Sequence, residues 1–218
     1  MESLNALIRA VGDTATYLFL AMNGLWGAYC FIVVWRRLRQ LSFRNRRAAE
    51  DFVDEVCERL AANDTDGALD LCEGDSRALP HFAAEAIANA EMPPAKLRKM
   101  LAEHFHQDVL MDLEHRISWI VTAIKAGPLL GLFGTVLGMM AAFGRIGTGE
   151  KVEPHHIAKE ISIALVCTAM GLLTAIPLNF LLSIVRIRMQ KMQEAVSAGL
   201  GKLLEVITSG EFAPQEVR

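Results

Sequence analysis

The sequence has no charge excess of either sign: 22 Lys+Arg against 25 Asp+Glu leave a formal charge of −3 over 218 residues. That balance excludes both a polybasic nucleic-acid binder and an acidic solvating tail. Cysteine is sparse and never spaced as CxxC. Cys30 and Cys167 fall in apolar sequence and Cys57 and Cys72 in polar sequence, so four ordinary reduced thiols are expected rather than a disulfide or zinc framework. Histidine offers no metal site either. His104 and His106 are two positions apart and point to nearly opposite sides of a helix, while His104 and His115 lie roughly 16 Å apart at 1.5 Å per residue. Gly147-Thr148-Gly149-Glu150-Lys151 lacks the Walker spacing and the hydroxyl residue after lysine, which excludes a phosphate loop. With no nucleophile–base pair and no ligand cluster, an enzyme is not expected, nor is any cofactor. No internal repeat of fixed period is present.

Charge is also absent locally, from three long runs at 14–35, 126–144 and 161–185. Hydrophobic residues make up 52% of the chain, and these runs hold them together instead of interleaving them with polar residues as a soluble domain does. Each run is near the roughly 20 residues needed to cross the hydrocarbon core as a helix. The first ends in Trp35-Arg36-Arg37 where a cleaved signal would show small residues, so it is read as a retained helix. Arg36, Arg37, Arg39, Arg44, Arg46 and Arg47 follow the first run, and Arg186, Arg188 and Lys191 follow the third. Only Arg145, Lys151 and Lys159 separate the second from the third, which places the N-terminus outside and the C-terminus inside.

The expected fold is therefore an all-α integral membrane protein with three transmembrane helices and long cytoplasmic helical extensions. Residues 1–13 form a short periplasmic N-terminus, 14–35 the first span and 36–116 a cytoplasmic helical domain. The second span is 117–146, the periplasmic loop 147–156, the third span 157–185, and the cytoplasmic C-terminal helix and tail 186–218. Within the cytoplasmic domain, Phe52, Val56, Leu60, Leu69, Leu71, Phe82 and Ile87 recur at helix-packing intervals. The run from Asn63 to Gly67 reads as a turn with a helix start, and Met92-Pro93-Pro94 as a second break. Met189, Met192, Val196, Leu200, Leu203 and Ile207 form one apolar stripe, which needs a partner surface from this domain or a neighbouring subunit. Low order is expected from about Gly210 onward. His155 and His156 are expected in a solvated loop.

Small residues then mark the second and third spans. Gly127, Gly131, Gly134, Gly138 and Ala142 line one helix face, and Ala164, Thr168, Gly171 and Ala175 another, which predicts a tightly packed pair. Thr135, Ser162, Thr168 and Thr174 lie on or near those faces, either back-bonded to their own helix or holding water in a pore. No ionisable group sits deep in either span, so a carboxylate for a proton path has to come from another chain. Lys125 precedes the glycine stripe at the inner end, as a snorkelling anchor or a charge at an inner pore mouth. Pro177 removes a backbone bond to Leu173 and predicts a kink, with Asn179 beyond it.

The run Gly127-Pro128-Leu129-Leu130-Gly131-Leu132-Phe133-Gly134-Thr135-Val136-Leu137-Gly138, followed by Ala164-Leu165-Val166-Cys167-Thr168-Ala169-Met170-Gly171 and then Thr174-Ala175-Ile176-Pro177, resembles the signature of the MotA/TolQ/ExbB proton-channel family. The resemblance covers roughly residues 117–190, and the three-span plan fits the ExbB/TolQ branch better than the four-span MotA branch. It implies a channel or stator subunit of a proton-motive-force-driven motor in the bacterial inner membrane. It also implies a homopentamer around two helices of an ExbD/TolR/MotB-like single-span partner whose membrane aspartate carries H+. By that resemblance Thr135 and Thr168 are the pore-facing threonines, and Ile163 stands where many relatives have glutamate. The alternative is a non-conducting membrane scaffold of the same fold. What the motor drives is then set by the partner's outer domain.

Overall fold

The computed structural model describes residues 2–147 and 154–208, with side chains from 15–144 and 154–208. It is helical throughout, and no strand occurs among the described residues. The elements are α1 (Glu2–Leu41), α2 (Arg46–Ala61), α3 (Thr65–Cys72), α4 (Ala78–Ala88), α5 (Pro94–His104), a π-helical turn (Phe105–Leu110), α6 (Met111–Gly147) and α7 (Pro154–Thr208). Three helical stretches are long and apolar enough to cross a membrane. The chain divides into two compact units, one of Met1–Val33 and Arg116–Ser183, the other of Val34–His115 and Ile184–Arg218.

In the first unit the usual distribution of apolar residues is inverted. Leu18, Leu25, Leu129, Met140, Leu165, Leu173 and Phe180 are all exposed, Leu25 by 74%, whereas the residues packed inward are mostly small. A soluble surface does not tolerate such a continuous apolar exterior, but a lipid-facing one requires it. Pro128 and Pro177 lie inside α6 and α7, which continue through them. α7 begins at Pro154, a residue suited to the first helical position because its missing N–H is unpaired there anyway. His155 and His156, expected in a loop, therefore form its first turn and are exposed. The rest of that expected loop, 148–153, and the tail from Gly210 lie outside the described residues.

The second unit has an ordinary soluble core. Leu38, Val56, Leu60, Leu79, Phe82, Leu97, Leu101, Leu113, Val185 and Leu203 are fully buried. The turn expected from Asn63 to Gly67 is present: Asn63 takes φ +63°, and the Asp64 carboxylate accepts from the Gly67 N–H at 3.0 Å, capping α3. Pro94 opens α5 at the expected break. On α7, Met192, Val196, Leu200 and Leu203 are buried and Met189 and Ile207 half-buried, so the apolar stripe finds its partner within this unit. Gly199 permits the approach, because a Cβ built there would lie 2.8 Å from Leu79 and 2.9 Å from Val53. The edge of one ring meets the face of the other between Phe82 and Phe105, whose centroids are 5.4 Å apart. His104 at the end of α5 sits 2.5 Å from the Glu85 carboxylate.

All four cysteines are free and buried. Burial, with Asp75 nearby, pushes the Cys72 thiol from 9.0 up to about 11, and burial also raises Cys57 despite the opposing field of Lys202. A raised folded-state value means that the folded protein holds the thiol proton more tightly. The resulting stability is present below pH 9 and is lost as pH rises through about 11. Both thiols are thus expected to resist maleimide at pH 8 in the native protein and to react on denaturation, as mass spectrometry of the labelled chain would read. Replacing Cys72 with alanine is expected to flatten the alkaline fall in denaturation midpoint.

Candidate functional site

The small-residue faces of α6 and α7 meet as a seam. A Cβ built on Gly131 would lie 2.8 Å from the Cys167 carbonyl oxygen, and one on Gly171 2.5 Å from that of Gly127. At Gly134 it would meet Cys167 Cβ at 2.9 Å, at Gly138 Ala164 Cβ at 2.6 Å, and at Gly127 the Gly171 carbonyl at 3.1 Å. Since most of these neighbours are backbone or Cβ atoms that cannot swing aside, glycine is required for this spacing. The glycine face read from the sequence is therefore a helix–helix contact.

α1 joins the same seam, which the sequence reading did not anticipate. Gly24 faces the Thr174 methyl, and Gly27 faces Leu178 and Ala123. The Asn23 side-chain amide donates to the Ala123 carbonyl at 3.0 Å, and the Tyr17 hydroxyl donates to the Ile163 carbonyl at 3.2 Å. The spacing of Gly24 and Gly27, read beside Asn23, was the available signal. Trp26 and Trp119 add an edge contact at 6.3 Å between ring centroids.

Of the hydroxyls named from the sequence, Thr168 and Thr174 stand at this seam. Thr168 Oγ1 donates across it to the Gly131 carbonyl at 3.1 Å. Thr135 Oγ1 donates to the Leu132 carbonyl at 2.7 Å, and Thr174 Oγ1 to that of Gly171 at 2.9 Å. Thr135 is buried, Thr168 and Thr174 half-buried, and Ser162 and Ile163 exposed. Lys125 and Pro177 are exposed too. A hydroxyl has one hydrogen and two lone pairs, so three threonines that commit their hydrogen to carbonyls present oxygen acceptors to anything beside them. That arrangement suits water or a hydrated cation better than an anion. Pro177 leaves the Leu173 carbonyl without its helical donor, and Pro128 does the same for Ile124, adding acceptors of the same kind. Among the described residues no group of three or more His, Cys, Asp or Glu side chains could hold a metal.

This glycine-faced, hydroxyl-bearing helical pair lies within a stretch, residues 75–198, that matches the model of the MotA/TolQ/ExbB proton channel family, more than half of the chain. The chain belongs to that family. Among curated proteins it is 39% identical over 66 residues to the Tol-Pal system protein TolQ of Haemophilus influenzae, covering 30% of this chain and 29% of the relative. It is 35% identical over 96 residues to the biopolymer transport protein ExbB of Aquifex aeolicus, covering 41% and 65%. To a putative ExbB homologue of Methanothermobacter thermautotrophicus it is 26% identical over 170 residues, covering 76% and 57%. In each case the match spans less than two thirds of the relative's own length. These relatives place the chain on the ExbB/TolQ-like side of the family, and the all-helical architecture with its apolar exterior agrees with a membrane-embedded protein.

Proposed function

We propose that this chain is the multi-span channel subunit of a proton-motive-force-driven motor in the bacterial inner membrane. It works with an ExbD/TolR/MotB-like single-span partner that supplies a membrane aspartate. The observation that carries this reading is the α6–α7 seam, where Thr168 reaches across to the Gly131 carbonyl at 3.1 Å beside Thr135 and Thr174. Membership of a proton channel family and likeness to TolQ and ExbB point the same way. The N-terminus lies outside and the C-terminus inside, five copies surround two partner helices, and H+ is the coupling ion.

The mechanism follows from charge and burial. A carboxylate on the partner is costly to hold against an apolar wall while ionised. Protonation removes that charge and lets it pass a surface such as the exposed Ile163, and release on the far side restores it. One elementary charge crossing the membrane gains about 2.3 kcal/mol per 100 mV, which biases each step in one direction. The threonine oxygens keep water beside the acid during transfer, and the seam keeps other ions from leaking between α6 and α7.

The test is partner-dependent proton uptake into vesicles under an imposed potential, read with an internal pH dye. The parent complex is expected to conduct, and Thr168→Val, which removes the cross-seam hydroxyl at nearly constant volume, is expected to slow uptake about tenfold, or roughly 1.4 kcal/mol on the barrier. An intact complex that stays impermeable would remove conduction and leave a membrane scaffold.

A further inference from the structure

Lys125 carries the only formal charge within 15–33, 117–144 and 161–183. It stands on α6 two positions before Gly127 and nine before Gly134, so at roughly 100° per residue both seam glycines fall on the opposite side of the helix. Leu132 and Val136, seven and eleven positions on, share its side instead, and all three are exposed. Among the described residues its ammonium has no hydrogen bond and no ion pair. Snorkelling does not relieve it. The Trp119–Trp26 ring pair, of the kind that settles at the headgroup level, begins six residues earlier on α6, roughly 9 Å along the axis. Trp119 also points about a third of a turn away, and a four-carbon stem does not close the gap.

We infer that Lys125 is the counter-charge for a carboxylate on the membrane helix of the single-span partner, holding that acid as the anion once its proton has left at the inner end of the path. The inference rests on the reading of the chain as a conducting subunit and deepens it. A second copy of this chain does not supply the acid, because the three stretches contain no Asp or Glu, and Glu114 and Glu160 bound them at opposite ends. A lysine inside a membrane span is costly unless it faces a bundle interior or a watery path and finds an anion there. An opposite charge within about 4–6 Å favours the ionised carboxylate and lowers its pKa by about 1–3. A neutral acid that reaches this level therefore gives its proton to water, and the carboxylate that remains pairs with the ammonium. Thr122, one turn nearer Arg116, commits its hydrogen to the Ser118 carbonyl at 2.9 Å, so its oxygen is open to that water. The titratable side chains on the elements packed against α6 here are Tyr17, Tyr29 and Cys30 of α1 and Cys167 of α7, while His115 and Arg116 precede it on α6 itself. Tyr17 is bonded to the Ile163 carbonyl, Tyr29 lies beside Trp26, Cys30 is buried and Cys167 rests against Gly134.

The experiment uses the complex of the chain with its copurified single-span partner, as parent, Lys125→Met and Lys125→Arg. Dicyclohexylcarbodiimide, which couples to protonated membrane carboxyl groups, is applied across pH, and mass spectrometry of the partner reads the midpoint at which labelling is lost. Proton uptake into vesicles and melting temperature are recorded beside it. Lys125→Met keeps an apolar stem without the charge. It is expected to raise the labelling midpoint by at least about one pH unit and to slow uptake at least about fivefold, at an unchanged melting temperature. Lys125→Arg should restore both. A midpoint and an uptake equal to the parent's in Lys125→Met would overturn the inference and leave the ammonium to lipid phosphate or solvent. So would a melting temperature lowered alike in both variants with uptake lost in both, which would make the stem a packing element. A parent complex that does not conduct removes the functional reading, whereas the labelling midpoint needs no conduction and still decides this inference.

Discussion

Replacing Gly171 with valine is expected to pull α6 and α7 apart and to abolish assembly of a conducting complex. The first added atom would sit 2.5 Å from the Gly127 carbonyl oxygen, and a backbone oxygen cannot rotate away as a side-chain tip can. The helices therefore have to separate, and the Thr168–Gly131 hydrogen bond, already 3.1 Å long, goes with the displacement. Overpacking of this kind costs about 1–3 kcal/mol in a well-packed core. In lipid no hydrophobic force holds two apolar helices together, so close packing and polar contacts are most of what is lost. The expected outcome is a clear fall in melting temperature of the detergent-solubilised protein and no partner-dependent proton uptake. Gly144→Ala is the matched control: among the described residues a Cβ built there meets no packing neighbour within 4 Å, and that variant should behave as the parent or slightly better.

The second large effect is expected in the other unit, at Phe82. Its side chain is completely buried, and its ring meets Phe105 at 5.4 Å between centroids. Phe105 is the first residue of the π-helical turn that joins α5 to α6, so the aromatic pair anchors the point where the helical hydrogen-bond pattern changes. Phe82→Ala should cost about 3–5 kcal/mol, the range for truncating a fully buried aromatic residue. Limited proteolysis should then cut within 78–110 at protease levels that leave the parent intact. Phe43, whose ring lies tilted against Phe52 at 5.7 Å between centroids and carries Arg77 over it at 4.4 Å, is only half-buried, and its alanine variant should be milder.

The parts of this fold that were legible in the sequence are those governed by a period. Glycines at 127, 131, 134 and 138 repeat with the helix, so their shared face follows from arithmetic, and the structure uses that face for the contact with α7. The stripe from Met189 to Ile207 was legible for the same reason, and the Asn63–Gly67 turn because its residues favour positive φ and capping. The features that escaped depend on partners distant in the chain. Asn23 looks like one polar residue in an apolar run until Ala123 is beside it, 100 positions away. The π-helical turn at Phe105–Leu110 has no composition that sets it apart from an α-helix. Whether Thr135 bonds back to its own helix or holds water in a pore was likewise open, and its hydrogen goes to the Leu132 carbonyl within its own helix.

The narrowness of the seam has a mechanical consequence. Gly127, Gly131, Gly138, Ala164 and Gly171 have no rotatable side chains, so closing the contact freezes almost no rotamer freedom. It also leaves nothing soft to absorb a displacement: where leucines or methionines can reshuffle to follow a sliding partner, bare backbone against backbone can only hold or break. α6 and α7 should accordingly travel as one stiff blade through any working stroke, with the compliance taken up by the long apolar side chains on their outer faces.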